Sequence, residues 1–157
     1  ARTLGYDPVV IDPRESFSSP ARFPGTPLLH DWPDEAVAGL AAARDDTVII
    51  AVHSFTRQLR GRPSRPWHVG ILHAWDRRLA DPLIAALEDE PDLTVGRNQP
   101  YPGHLPGDSI DRHALHHGRI NTLIEVRNDL IETEQAQTHW GARLAPLIQA
   151  ALTKVPD

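Results

Sequence analysis

Cysteine and methionine are both absent from the chain, and lysine occurs once, at Lys154. Without cysteine there is no disulfide framework and no thiolate metal site, so any metal must be held by His, Asp or Glu. Without methionine the chain lacks an initiator and reads as trimmed or as a fragment. Basic residues number 16 against 21 acids, for a net charge of −5. No basic stripe stands out, which excludes nucleic acid as a partner. The longest apolar run, Val48 to Val52, has five residues, far short of the ~20 of a membrane span. No basic segment followed by an apolar one marks a signal peptide, so a cytoplasmic protein with no membrane partner is expected. Gly61, Gly70, Gly96 and Gly103 form no phosphate fingerprint, and no serine stands in a nucleophile elbow.

What remains is an ordinary soluble composition, 40% apolar and 24% charged over 157 residues, enough for a single domain with its own core. Nine histidines are many for this length, and six of the 15 prolines fall within the first 33 residues. Between those prolines Pro8 to Asp12 reads as a short buried strand, followed by an irregular connection from Arg14 to Pro27. Asp31-Trp-Pro33 starts a helix with Ala36, Val37, Leu40 and Ala41 on its apolar stripe. Thr47 to Val52 is the strongest strand and is expected to be central. Trp67 to Ala74 is a second strand. A helix around Leu79, Leu83, Ile84 and Leu87 follows, in which Pro82 requires Asp81 to cap a new start. Leu93 to Val95 is a short strand, Ser109 caps a short helix that Gly118 ends, and Asn121 to Arg127 is another strand. Thr133 begins a C-terminal helix with Trp140, Leu144, Leu147, Ile148 and Ala151 on one side, and Pro146 should kink or split it. Strands alternating with helices give an α/β layered fold, with a mostly parallel or mixed central sheet flanked by helices. No internal repeat is present.

Ligands in open α/β sheets bind beyond the carboxyl ends of strands, and two such ends carry polar residues of interest. Five apolar residues lead into His53, which could simply cap the strand by bonding backbone. On Leu123 to Asp129 the period-two alternation puts Glu125 and Arg127 on the same side of the sheet. A glutamate among Leu123, Ile124 and Val126 is either paired, most simply with Arg127, or has a raised pKa. His68 and His73 fall on opposite faces of their strand and cannot share a metal. His113 and His117 have the i,i+4 spacing that can grip one, although a solvated helix face accounts for them more simply.

Residues 47–152 resemble the N-formylglutamate amidohydrolase family. The resemblance rests on Val52-His-Ser-Phe-Thr56, Arg65-Pro-Trp-His-Val-Gly-Ile71, Asp76-Arg-Arg-Leu-Ala-Asp-Pro-Leu83, Val95-Gly-Arg-Asn-Gln-Pro-Tyr101, Arg112-His-Ala114 and Ile124-Glu-Val-Arg-Asn-Asp-Leu-Ile131. It implies a fold similar to that of zinc carboxypeptidases and hydrolysis of N-formyl-L-glutamate to formate and glutamate. It further implies His53 as a zinc ligand and Glu125 as the general base, then acid. Arg127 and Arg112 become candidates to hold substrate carboxylates with guanidinium forks. Tyr101 and His113 occupy matching motif positions, and Tyr101 is taken as substrate-binding. A neutral imidazole and a half-buried glutamate suit those roles chemically.

The family's other zinc ligands lie on a segment well before the His-Ser-Phe motif, and the 52 residues preceding His53 do not resemble it. Only His30, Asp31, Asp34 and Glu35 cluster there. Instead Arg2 to Tyr6, Val9 to Arg14, Arg22 to Gly25 and Trp32 to Glu35 resemble the Rossmann-like domain of xanthine dehydrogenase accessory proteins, in which Asp12 would face a ribose. The expectation is therefore one domain over 1–157, built from a Rossmann-like βα segment (1–46) and an amidohydrolase-like segment (47–157), joined as a chimera. Three functions follow: a zinc-dependent amidohydrolase acting on a small molecule, an inactive α/β scaffold in which Glu125 and Arg127 pair, or a binding module for a molybdenum enzyme. An unpaired strand edge would favour a homo-oligomer.

Overall fold

The computed structural model describes residues 38–39 and 46–156. The chain divides into two units, Ala1–Thr47 and Val48–Asp157, and the architecture below is that of the second. The strand expected at Pro8 to Asp12 and most of the helix expected from Asp31 lie outside the described residues. Ala38 and Gly39, which fall within that helix, are helical.

Four strands, β1 (Ile49–Phe55), β2 (Val69–Leu72), β3 (Val95–Arg97) and β4 (Asn121–Arg127), form one sheet in the order β1-β4-β2-β3. The β1–β4 and β2–β3 pairs are parallel, and the β4–β2 pair between them is antiparallel. With helices α1 (Ala80–Glu88), α2 (Ser109–His113) and α3 (Glu134–Leu152), this is a mixed α/β fold. Among the described residues β1 lies at an edge of the sheet, and β4 and β2 hold the centre. Among the described residues the apolar run in β1 thus belongs to an edge strand, in which Val52, His53 and Ser54 are exposed.

Alternation along the strands sorts the two faces. Val69, Ile71, Ile124 and Val126 project to one side and form the main core with Leu79, Leu83, Ile84 and Leu87 of the α1 region and Trp140, Leu144 and Ala151 of α3. Each large side chain buried there contributes about 1.5–3 kcal/mol. On the other side Ile110, Ala114 and Leu115 cover Ile49, Ala51 and Ala74 in a smaller cluster. Arg143 fastens α3 to the loop after α1 through Asp92 and Glu90.

Several boundaries differ from expectation for local reasons. Helix α1 begins at Ala80, with Leu79 at the cap position and no side-chain cap. Asp81 is bonded by Arg77 instead. Pro82 is tolerated as the third helical residue because first-turn N–H groups have no partner inside a helix. The cap of α2 is Asp108, one residue before Ser109, and it accepts from the Asp111 N–H at 2.7 Å. Thr133 does cap α3, accepting from Ala136. Pro146 does not split α3, which runs unbroken through it. Pro146 and Ala142 are both exposed, so the carbonyl deprived of its donor has water available. The strand expected over Trp67 to Ala74 is confined to Val69–Leu72, with His68 and His73 flanking it. The His68 Nδ1 accepts from Thr94 N and the His73 Nδ1 bonds the Ala74 carbonyl. No helix among the described residues is long and apolar enough to cross a membrane.

Candidate active site

One row crosses the sheet. His53 is in register with Glu125, Glu125 with Gly70, and Gly70 with Gly96. By the two-residue alternation these positions lie on the face opposite the main core. Two strands present side chains there and two present none. The space above the glycines is taken by the loop after β3. A Cβ on Gly70 would lie 2.0 Å from the Gln99 carbonyl oxygen, and one on Gly103 would lie 1.8 Å from the His73 carbonyl oxygen. Glycine is required at both points because backbone lies directly against backbone. Asn98, with φ of 50°, turns the loop, and its side-chain oxygen accepts from the His73 N–H at 2.8 Å.

Glu125 is only 4% exposed, and its Oε2 is buried without a hydrogen-bond partner. Its Oε1 stands 4.0 Å from the His53 Nδ1, too far for a hydrogen bond. Burial pushes the Glu125 pKa up to about 7, opposed by the positive charge of Arg65. Desolvation wins because, among the described residues, no donor reaches the carboxylate to support its ionised form. The His53 side chain is 45% exposed. Its pKa is lowered by desolvation, against an opposing pull from the Asp108 carboxylate at the start of α2. A neutral imidazole thus faces a carboxyl group that titrates near neutrality.

Arg127 is buried on the same face, but its partners are elsewhere. Its Nε donates to Asp129 at 2.7 Å and its Nη1 to the Trp67 carbonyl at 3.2 Å. The expected Glu125–Arg127 pair does not form, because the strand end turns Asp129 back onto the guanidinium. Arg112 is half-buried on α2, which meets β1 and β4 on this face. Tyr101 comes from the loop over the glycines, and its hydroxyl receives Arg65 Nη1 at 3.3 Å. Arg65 also donates to the Thr56 carbonyl and lies over the Phe55 and Tyr101 rings, at 5.9 and 5.2 Å. Sequence reading gave Arg65, Asp108 and the two row glycines no role. Isolated glycines inside apolar strands are the signal that a backbone approaches there.

His113 and His117 do not lie on one continuous helix, as the i,i+4 reading requires. Helix α2 stops at His113, and a separate 3-10 turn spans Leu115–His117, ended by Gly118 in the left-handed conformation. Among the described residues no group of three metal-ligating side chains forms. His53 and Glu125 fall short of the three or four protein ligands that zinc sites use, so the donors among the described residues do not by themselves fit a zinc ion. His30, Asp31, Asp34 and Glu35, and likewise Asp12, lie outside the described residues.

The family model described as N-formylglutamate amidohydrolase matches residues 30–132. The chain belongs to this family. Among solved structures, a gene product of Agrobacterium tumefaciens is similar at 36% identity and a TM-score of 0.70, covering 94% of this chain and 57% of its own. An N-formylglutamate amidohydrolase from Ralstonia eutropha JMP134 shares the fold at 20% identity and a TM-score of 0.53, covering 79% of this chain and 49% of its own. The chain thus spans about half the length of the structures it matches. No curated protein matches it. The amidohydrolase family match begins at residue 30 and crosses the join placed near residue 46, so the expected splice of two families finds no support, nor does the likeness to xanthine dehydrogenase accessory proteins.

Proposed function

We propose that the chain carries the water-activating part of a hydrolytic site acting on the formyl amide of N-formyl-L-glutamate, with Glu125 as the proton-transfer group. The observation that carries this reading is Glu125 itself, a buried carboxyl with pKa about 7 and an oxygen without a hydrogen-bond partner, beside His53. A general base poised near the working pH is ionised often enough to accept a proton and returns it readily. Glu125 takes a proton from water as the water oxygen bonds to the formyl carbon. It then delivers that proton to the amide nitrogen as the C–N bond breaks, leaving formate and glutamate. Arg112 and Tyr101 are proposed to bind the substrate. Arg127, already engaged by Asp129 and the Trp67 carbonyl, serves to hold the end of β4. Zinc enters this proposal through the family resemblance alone, with His53 as one ligand, and no step above runs through it.

Glu125→Gln tests the reading. Formate release from N-formyl-L-glutamate should fall at least about 100-fold, with the melting temperature held or raised. A variant that releases formate at the parent rate overturns it.

A further inference from the structure

Arg65 is a cation placed beside the candidate site with donors to spare. It is half-buried, and among the described residues no carboxylate stands within ion-pair distance of it. Its side-chain bonds, to Thr56 O and Tyr101 Oη, both use Nη1. Nη2 and Nε therefore have no acceptor among the described residues. Five other arginines among the described residues grip acids: Arg77 holds Asp81, Arg78 holds Asp76, Arg97 holds Glu88, Arg127 holds Asp129, and Arg143 holds Asp92 with Glu90.

The position of Arg65 follows from the register. Its guanidinium lies over Phe55, which is two residues beyond His53 on β1 and so on the same face, about 6–7 Å further along. Phe55 in turn stands opposite Arg127. The Tyr101 ring supports the guanidinium plane from the loop that covers the glycines. The fork is thus held on one side by a carbonyl, a phenol and two rings, and its Nη2 and Nε have no acceptor among the described residues. An open guanidinium edge binds a carboxylate in a planar, two-bond geometry that an ammonium cannot match.

We propose that Arg65, held by Tyr101 and Thr56, is the carboxylate anchor of the site and restricts it to anionic N-acyl substrates. This rests on the reading of Glu125 above for where the amide lies. The anion would sit one side chain from the row that carries Glu125, placing the amide between Arg65 and His53.

Binding is measured by calorimetry on the full chain in a Glu125→Gln background, which prevents turnover, using N-formyl-L-glutamate and its neutral bis-amide. Adding Arg65→Gln should weaken the anion about 10- to 100-fold and leave the bis-amide unchanged, whereas Arg65→Lys should retain part of the affinity. Thermal melting of each variant confirms that it is folded. Equal affinity for the anion with and without Arg65, or no binding of the anion to the parent background, overturns the proposal. Formate release separates the two readings. Arg65-dependent binding by a parent chain that releases no formate removes the Glu125 assignment and keeps the anchor. Unimpaired release by the Arg65→Gln chain does the reverse.

Discussion

The two faces of β4 are buried in opposite ways. Ile124 and Val126 lie in a core closed by α1 and α3. Glu125 and Arg127, the residues alternating with them, are buried on the other face among polar groups. On the first face burial is stabilising throughout. On the second, a carboxyl oxygen of Glu125 and the side-chain oxygen of Asn121 are both buried with no hydrogen-bond partner, and such groups typically cost about 1–3 kcal/mol each. Adjacent residues of one strand thus differ in what burial does, one face holding the chain together and the other keeping buried polar groups at its expense.

Single substitutions can break that separation or sharpen it. The largest effect on stability should come from Ile124→Ala, which removes a fully buried side chain from the closed face and should lower unfolding free energy by about 2–5 kcal/mol in denaturant titrations. Glu125→Gln, one residue along, should lose nothing at neutral pH. If both variants are destabilised alike, the faces are not separate in the sense described. Next comes pH. The folded Glu125 pKa is raised from 4.5 to about 7, so between those values the folded chain holds a proton that the unfolded chain has released. Stability should therefore fall as pH rises from 4.5 through 7, by up to about 3 kcal/mol relative to Glu125→Gln. Parallel pH profiles for the two proteins would contradict this. Gly70→Ala should cost about 1–3 kcal/mol, because its Cβ would meet the Gln99 carbonyl. It should also lower formate release by displacing the Tyr101 loop, an effect that Ile124→Ala lacks in whatever fraction remains folded.

How much of this could be read from the sequence varied with the range of the forces involved. Strand β4 was legible residue for residue, since its alternation is set by neighbours two apart. The start of α3 at Thr133 was legible too, its capping bond to Ala136 spanning only three residues. The Asp108 cap was not, because Ser109 beside it is an equally good capping residue and only the folded loop chooses between them. The pairing of Arg127 with Glu125 was plausible along the strand and failed because Asp129 turns back beyond the strand end. His53 was legible as a polar residue delivered by an apolar strand, yet its place opposite Glu125 depends on a register between strands 72 residues apart in the chain. Arg65 was hidden most completely: one partner, Tyr101, is 36 residues away, and no periodicity reports such a meeting. The row glycines were visible but carried no reading until Gln99 was found lying on Gly70.

The loop from Asn98 to Gly103 has consequences for how such a site could diversify. Its underside is set by the thickness of a polypeptide backbone, with Gly70 and Gly103 leaving no room for even a methyl group. Its outer side is open, with Tyr101 and the following Leu105 exposed to 39% and 62%. Substitutions from below are barred by geometry and those from above are not. New substrate preferences in this architecture can therefore be written on the roof of the site, leaving its floor unaltered.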